Sequence, residues 1–204
     1  PDNTPGLYYM PKSTLEILRR FYDQFAGQDH VLIVINADPD AIGSAMAVSR
    51  LLWRRVLNVT ISNVNTINRP DNRAMLRLLD VTTVPFNQID PAKFNKFVIV
   101  DSQPDHNEFM AQLKPDVIID HHPDSKPQAP FVDIRPNYGA TATILTEYLR
   151  AAKIKPSVKL ATGLFQAIKI DTNAFKGQTA IEDVRAFQFL FRHANMHLAR
   201  RIEK

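Results

Sequence analysis

The sequence of 204 residues contains no cysteine, which excludes disulfide bonds and thiolate-bound metal ions. Any metal ion must therefore bind to histidine, aspartate or glutamate, and a cytoplasmic location is the simplest expectation. There is no run of about 18 apolar residues, which a membrane-spanning helix would need. The first residues, PDNTPGLYYMPKS, lack the charged, apolar and small-residue regions of a signal peptide. We therefore expect no association with a membrane.

Charge of one sign is not in large excess either. The chain has 25 Lys and Arg against 21 Asp and Glu, a formal net charge of +4, which is compatible with an anionic substrate. Hydrophobic residues make up 45% of the chain, enough at this length for a sizeable core. Because the chain starts with Pro and ends in a predicted helix, we expect an excised domain or a processed chain.

Short apolar runs alternate with helical patterns in the first part of the chain, and the second half is mostly helical. The predicted strands are residues 31–36, 58–63, 96–101 and 116–120, with an edge strand at 131–136. The predicted helices include residues 12–26, 139–153, 156–170 and 179–203. This pattern predicts an α/β fold with a predominantly parallel sheet of about five strands flanked by helices. We divide it into an N-terminal helical extension, residues 1–27, and a main domain, residues 28–204.

Acidic residues stand where three of the predicted strands end. They are Asp38 with Asp40, Asp101, and Asp120, which is followed directly by His121 and His122. In an open α/β sheet the ligand site lies beyond the carboxyl ends of the strands, so these groups should converge. Clustered carboxylates repel one another unless a cation lies among them. Mixed oxygen and imidazole ligands favour Mn²⁺, Mg²⁺ or Fe²⁺, and two such ions about 3.5–4 Å apart can activate water and bind a phosphoryl group.

Each of these residues also has a simpler interpretation. Asp40 could cap the helix that follows it, Asp101 could be a turn residue, and Asp120 could orient a histidine. A pair of neighbouring histidines is more often a surface or core feature than a metal site. Caps have no reason to recur at the ends of successive strands beside histidines, so the set as a whole favours a metal site.

Several motifs together resemble the DHH phosphoesterase family. The two main motifs are ADPDAIGSA (37–45) and DHHPDS (120–125). Four further segments stand at the expected places in the chain order, namely 67–80, 97–104, 138–149 and 160–175. The resemblance covers most of residues 30 to 200 and is strongest for the oligoribonuclease and 3′-phosphoadenosine 5′-phosphate phosphatase branch. It implies a DHH-type catalytic domain with two divalent cations, commonly manganese, that hydrolyses phosphoester or phosphoanhydride bonds.

The resemblance also implies a role for individual acids. Asp101 would bridge two metal ions, and Asp40, His121 and Asp171 would complete one site. Asp38 would belong to the other site. From spacing alone, Asp171 is only an acid that follows a helix, so its inclusion depends on the resemblance.

Substrate contacts are implied in the same way. His122 would face the substrate phosphate, and Asp120 would orient a histidine. Further candidates for substrate binding are Arg69, Asn72, Arg73, Gly139 and Thr141. The first three could equally be an ordinary solvated helix start, and the small residues at 139–141 could serve packing. The remaining histidines, His30, His106, His193 and His197, have no ligand-like spacing, and we interpret them as surface or helix residues.

Two departures from the family pattern matter. The motif usually has a histidine four residues before the first aspartate of the pair, but here that position is Val34. The site of Asp38 would then lack an imidazole, although Asn36 could offer a weak amide oxygen or simply a strand-end hydrogen bond. Family nucleases and phosphatases also carry a further substrate-binding domain, which we expect to be absent from this chain.

We therefore expect a divalent-metal-dependent phosphoesterase, a phosphodiesterase, exonuclease or nucleotide phosphatase. Its substrates would be short oligonucleotides, linear dinucleotides or nucleotides, hydrolysed by a metal-activated water. One alternative is a degenerate nucleotide- or metal-binding regulatory module, motivated by Val34. A further alternative is an inorganic pyrophosphatase, which would share the metal centre. The sequence leaves the oligomeric state open, with a homodimer as one option.

Overall fold

Residues 13–203 are described by the computed structural model, and within this range the chain forms one six-stranded sheet. The strands are β1 (His30–Ile35), β2 (Asn58–Asn63), β3 (Val84–Pro85), β4 (Lys96–Val100), β5 (Val117–Asp120) and β6 (Phe131–Ile134). Their order is β3-β2-β1-β4-β5-β6, and every neighbouring pair is parallel. The predicted α/β class with a parallel sheet is confirmed.

Helices connect these strands and fill the second half of the described chain. They are α1 (Thr14–Tyr22), α2 (Pro39–Leu52), α3 (Pro70–Leu79), α4 (Glu108–Ala111), α5 (Thr141–Ala151), α6 (Val158–Asp171), α7 (Ile181–Phe191) and α8 (Met196–Ile202). Short 3₁₀ turns occupy Phe86–Gln88, Pro91–Lys93 and Pro104–His106. None of the helices in this part of the chain is long and apolar enough to cross a bilayer.

The strand order reverses between β1 and β4. From β1 the chain builds outward through β2 and β3, and it then returns to place β4, β5 and β6 on the other side of β1. Ligands of open parallel sheets bind beyond the carboxyl ends of the strands at such a reversal. Asp38 follows β1 and Asp101 follows β4, so the first two acidic positions lie at this point of the sheet.

The sheet is covered unequally on its two faces. Residues Val31 to Ile35 of β1 are fully buried, as expected for a central strand of a parallel sheet. One face packs against a large apolar cluster that includes residues of α2, α5 and α6. The other face has a smaller cluster of Leu32, Val34, Ile99, Met110 and Ile118, flanked mainly by short turns and loops.

The structure corrects three details of the predicted elements. The predicted helix 179–203 is two helices, because Asn195 caps α8 by accepting hydrogen bonds from the N–H groups of His197 and Leu198. The sheet has a sixth strand, β3, whose two residues are too few to show a periodic pattern. Asp171 is the last residue of α6, one residue beyond the predicted end of that helix at residue 170.

The described part of the predicted N-terminal extension packs onto the main sheet. Helix α1 begins at a capping box between Ser13 and Glu16, which satisfies two terminal N–H groups. Phe21 is fully buried, with its ring centroid 5.9 Å from that of Phe131 and 5.8 Å from that of Tyr148. Residues 1–12, which belong to the predicted extension, lie outside the described residues.

Candidate metal centre

The loop after β1 delivers two carboxylates with different partners. Asp38 is the N-cap of α2, and its Oδ1 accepts a hydrogen bond of 2.9 Å from the N–H of Ala41. Asp40 is fully buried and accepts from the N–H groups of Thr141 and Ala142 at 2.7 and 2.8 Å. Helix capping, which the sequence offered as an interpretation of Asp40, is therefore performed by Asp38. Asp40 instead joins the start of α2 to the start of α5.

Asp101 occupies a left-handed backbone conformation directly after β4. Its φ is 57°, which costs of the order of 1–3 kcal/mol for a residue other than glycine and persists only when the surroundings impose it. The carboxylate is buried and its Oδ1 accepts a hydrogen bond of 2.8 Å from the hydroxyl of Thr141. The side chain is thus held at the sheet edge between β1 and β5.

His121 points one ring nitrogen at three carboxylates. Its Nε2 lies 3.1 Å from Asp171 Oδ2, 3.6 Å from Asp101 Oδ1 and 3.7 Å from Asp40 Oδ2. Its Nδ1 lies 3.2 Å from the carbonyl oxygen of Tyr138. Because a carbonyl only accepts, Nδ1 carries the hydrogen of that bond. The lone pair of neutral His121 is then on Nε2, which is buried and has no hydrogen-bond partner.

The acidic groups of the cluster are shifted toward their neutral forms. Burial and the neighbouring charge of Asp171 raise the pKa of Asp40 to about 7. Burial and the charges of Asp40 and Asp38 raise the pKa of Asp101 well above its usual range, and burial raises the pKa of Asp38. Burial acts to lower the pKa of His121, but Asp171 and Asp40 outweigh it and raise that pKa to about 9. These shifts indicate uncompensated negative charge.

The donor atoms fit a divalent cation. Asp40, His121 and Asp171 each offer a ligand atom within 4.8 Å of the others, and Asp101, His121 and His122 form an overlapping group with the same property. The unpartnered Nε2 of His121 is the expected state of an imidazole ligand whose other nitrogen is bound to a carbonyl. The cluster therefore contains two overlapping potential ligand groups that share His121.

Asp120 holds His122 and is itself held by a residue that we did not predict. Its Oδ1 lies 2.8 Å from Nδ1 of His122, and its Oδ2 accepts a 2.7 Å hydrogen bond from Nε2 of Gln103. The carboxamide of Gln103 is oriented by backbone groups, since Nε2 also donates to the carbonyl of Pro123 and Oε1 accepts from the N–H of Ser125. Burial acts to raise the pKa of Asp120, but the hydrogen bonds from His122 and Gln103 lower it.

His106 borders the centre, although its spacing gave no indication of this. It is exposed and ends the 3₁₀ turn after Asp101, and its Nδ1 accepts a 3.3 Å hydrogen bond from the N–H of Gln103. Its ring centroid lies 5.6 Å from that of His122. Ligand atoms of His106, Asp120 and His122 lie within 4.8 Å of one another. The prediction of a surface position is met, but the residue also flanks the cluster.

Gly139 and Thr141 have partners other than the expected substrate anion. The N–H of Gly139 donates to Asp183 at 2.8 Å, and the N–H of Thr141 donates to Asp40. A Cβ at position 139 would lie 2.5 Å from the carbonyl oxygen of Gln178, so the close approach requires glycine. Both backbone N–H groups are thus used by protein carboxylates, and these residues hold the framework of the cluster.

The arginines of the segment 67–80 are exposed, whereas Asn72 in the same segment is buried. Arg69 pairs with Asp71 at 2.6 Å, and Arg73 donates to a backbone carbonyl of the preceding loop. Asn72 is 3% exposed and donates to the carbonyl of Ala37 at 3.1 Å. In the structure Asn72 therefore supports the loop that carries the first two aspartates. Among the described residues, neither Arg69 nor Arg73 forms an ion pair with the carboxylates of the candidate metal centre.

Val34 lies in the interior, on the thinly covered face of the sheet. It is fully buried and packs in the small apolar cluster with Leu32, Ile99 and Met110. Residue 34 therefore offers Asp38 no imidazole. Asn36, the weak alternative ligand, is exposed.

Carboxylates and imidazoles gather at the carboxyl edge of a parallel sheet. The fold and the site therefore place the chain among α/β proteins with a candidate metal centre. Residues 30–168 match the N-terminal domain of the DHH family. The chain belongs to the DHH family. This match confirms the resemblance that the motifs carry, although it does not distinguish among branches of the family.

The known proteins that are similar to the chain include a relative in sequence and a solved structure. An uncharacterized protein of Methanocaldococcus jannaschii is 36% identical over 173 residues, which are 85% of this chain and 36% of that protein. The chain thus spans about a third of the length of this relative. The crystal structure of an exopolyphosphatase-related protein from Bacteroides fragilis matches 96% of this chain and 61% of its own, with a TM-score of 0.70 and 14% identity. At that identity the likeness concerns the fold alone.

Proposed function

We propose that residues 28–204 form the catalytic domain of a divalent-metal-dependent phosphoesterase. The observation that carries the proposal is the buried, unpartnered Nε2 of His121 among the carboxylates of Asp40, Asp101 and Asp171. These four residues would hold one cation, and Asp38 with Asp101 would hold a second. Divalent cations bound there would supply Lewis acidity, which activates water and offsets the charge of a phosphoryl group.

The chain's own residues orient the reacting groups. Tyr138 fixes the ring of His121 through its carbonyl. Asp120, bound by Gln103, fixes the ring of His122, and its hydrogen bond to His122 raises the pKa of that histidine. A protonated, half-exposed His122 can donate a hydrogen bond to a substrate phosphate oxygen. In this scheme His122 binds the substrate, and Asp120 and Gln103 are positioning residues.

The finer part of the proposal concerns the substrate and the metal. We propose Mn²⁺ as the metal and a short oligonucleotide, linear dinucleotide or nucleotide as the substrate. The support is the set of motifs typical of the oligoribonuclease and nucleotide phosphatase branch, and a mildly basic chain with a net charge of +4. The absence of cysteine fits a cytoplasmic protein, and a homodimer remains part of the proposal.

Two other functions each have one observation in their favour. Hydrolysis of pyrophosphate or a polyphosphate is favoured by the shared fold of a protein described as exopolyphosphatase-related. A regulatory module that binds a nucleotide or a single metal is favoured by Val34, which leaves Asp38 without an imidazole. Both alternatives use the same cluster around His121. The first differs from the main proposal in its substrate, and the second involves no hydrolysis.

The test is hydrolysis by the full-length protein in Mn²⁺. A linear dinucleotide, 3′-phosphoadenosine 5′-phosphate and pyrophosphate are supplied in parallel, and products are measured by chromatography and phosphate release. We expect mononucleotide or phosphate release from a nucleotide substrate. Preferred cleavage of pyrophosphate would establish the pyrophosphatase alternative. Metal or nucleotide binding with no turnover of any substrate would contradict the enzyme and favour the regulatory module.

A further inference from the structure

A cleft of about 320 Å³ opens at the carboxyl edge of β2 and β3. Its walls come from the loop after β2, from the turn after β3 and from helix α4. The lining residues include Asn63, Asn65, Thr83, Phe86, Asn87 and Phe109. None of these residues belongs to the proposed metal ligands, so the cleft is distinct from the cluster of His121.

The cleft is connected directly to the loop that carries Asp38. The side chain of Asn65 accepts a 2.7 Å hydrogen bond from the N–H of Ala37 and donates one of 3.0 Å to its carbonyl. Ala37 immediately precedes Asp38, and consecutive Cα atoms are about 3.8 Å apart. Asn63 in turn donates to the carbonyl of Asn65 at 2.7 Å. The wall of the cleft and the first aspartate therefore form one hydrogen-bonded unit.

Two aromatic rings supply the apolar part of the lining. Phe86 follows β3 and Phe109 belongs to α4, and their ring centroids are 5.6 Å apart with an interplanar angle of 46°. Both side chains are half-buried and both line the cleft. Aromatic faces bind planar heterocycles by stacking, without a requirement for a particular base.

A carboxamide supplies the polar part. Asn63 is 5% exposed, its Nδ2 donates to Asn65, and its Oδ1 is buried without a partner among the described residues, so Asn63 forms the wall of the cleft. Asn87 stands exposed beside Phe86 in the same lining. A carboxamide offers a donor and an acceptor side by side, which matches the edge of a nucleobase. The volume is near the lower end of the roughly 300–1,000 Å³ of small-molecule sites, which suits one nucleoside unit better than an oligomer.

We propose that this cleft binds the base of a nucleotide whose phosphate lies at the metal centre. The inference rests on the proposed function and narrows its substrate class, because pyrophosphate and polyphosphate have no group that would occupy the cleft. The aromatic pair would stack on the base, and the exposed carboxamide of Asn87 would contact its polar edge. The cleft beside β2 and β3 would then make the protein bind nucleotides more tightly than inorganic phosphates.

The test compares two ligands that differ only in the base. Calorimetry measures binding of adenosine 5′-monophosphate and of ribose 5-phosphate to the full-length protein in Mn²⁺. We expect the nucleotide to bind about tenfold more tightly, the effect of one base–aromatic stack. Phe86→Ala should remove that advantage, and Phe86→Tyr, which keeps the ring, should retain it.

Controls separate a specific effect from a loss of folding. Trp53→Ala removes an aromatic side chain that is 56% exposed at the far end of α2, and it should leave both affinities unchanged. If Phe86→Ala unfolds in a thermal melt, Phe109→Leu carries the same comparison. Equal affinity of the wild-type protein for the two ligands would overturn the inference, as would an unchanged base advantage in the folded variant.

The same measurement distinguishes this inference from the proposed function. Binding of adenosine 5′-monophosphate requires no hydrolysis. A protein that shows the base advantage but turns over no phosphoester would contradict only the proposed function. A protein that hydrolyses phosphoesters but has no base advantage would contradict only the nucleotide cleft.

Discussion

The two sides of the candidate centre differ in how completely they are built. One side, the imidazole side, consists of Asp40, His121 and Asp171. The other, the Asp38 side, consists of Asp38, and Asp101 lies between the two sides. On the imidazole side, a free Nε2 faces three carboxylates. On the Asp38 side, Oδ1 of Asp38 already caps α2, and Val34 supplies no ligand. We infer that one cation binds tightly and a second binds weakly.

The difference follows from where the ligands come from. The imidazole side is assembled from the start of α2, the end of β5 and the end of α6, and backbone groups of α5 fix Asp40. The Asp38 side depends mainly on one short loop, which Asn65 and Asn72 hold through Ala37. Long-range packing can therefore orient the first set precisely enough for tight binding, whereas the second set lacks an equivalent framework.

The largest effect is expected from Asp101→Asn, because Asp101 is common to both sides. Loss of its charge should lower turnover by about a thousandfold and weaken binding of both cations. Steady-state hydrolysis and metal analysis after dialysis measure the two effects. Asp23→Asn, which neutralises an exposed acid at the end of α1, is the matched control. Two bound metals in the Asp101 variant would refute the bridging role.

Gln103→Glu should lower turnover by roughly 10–100-fold, the usual effect of changing a group that orients a ligand or contact residue. The variant keeps the acceptor for Ser125 but replaces the donor to Asp120 with a repelling oxygen. We expect kcat to fall with metal stoichiometry unchanged. Ser125→Ala, which leaves the bond between Gln103 and Asp120 in place, should have a smaller effect. Equal losses in the two variants would argue for a merely structural role of this loop.

Acidity should weaken the imidazole side in a defined direction. Burial and the charge of Asp171 raise the pKa of Asp40 to about 7, and the carboxylates of Asp171 and Asp40, opposed by burial, raise that of His121 to about 9. Below these values a cation must displace protons, so affinity should rise with pH between about 6 and 9. The expected slope is about tenfold per pH unit for each displaced proton. A Mn²⁺ affinity independent of pH would contradict this.

Val34→His tests the weaker side with the smallest expected effect. An added imidazole should raise the affinity of the second cation several-fold, but it also replaces an apolar side chain in the small cluster with Leu32 and Ile99. The cost in unfolding free energy should be about 1–3 kcal/mol. Calorimetry and denaturant unfolding measure these quantities, with Val34→Thr as the control for polarity alone. An unchanged affinity for the second cation would mean that position 34 does not face the cation.

Much of the site could be predicted because it follows from strand ends. The acids at the carboxyl ends of β1, β4 and β5 had to meet once these strands were parallel neighbours. Gln103, His106 and the bonds of Thr141 could not be predicted, since their partners are distant in the chain and have no spacing signal. Asp171 required the family resemblance, because a helix end is not tied to the sheet edge by sequence pattern. Likewise, the break at Asn195 depends on a single capping side chain.

The most direct measurement of the central claim is anomalous diffraction from crystals grown with Mn²⁺ at pH 8. The account predicts a strong manganese peak bound by Nε2 of His121 and by oxygens of Asp40, Asp101 and Asp171. It also predicts a weaker peak beside Asp38, which should vanish first as the manganese concentration is lowered. No peak at His121, or a stronger peak at Asp38, would contradict the account.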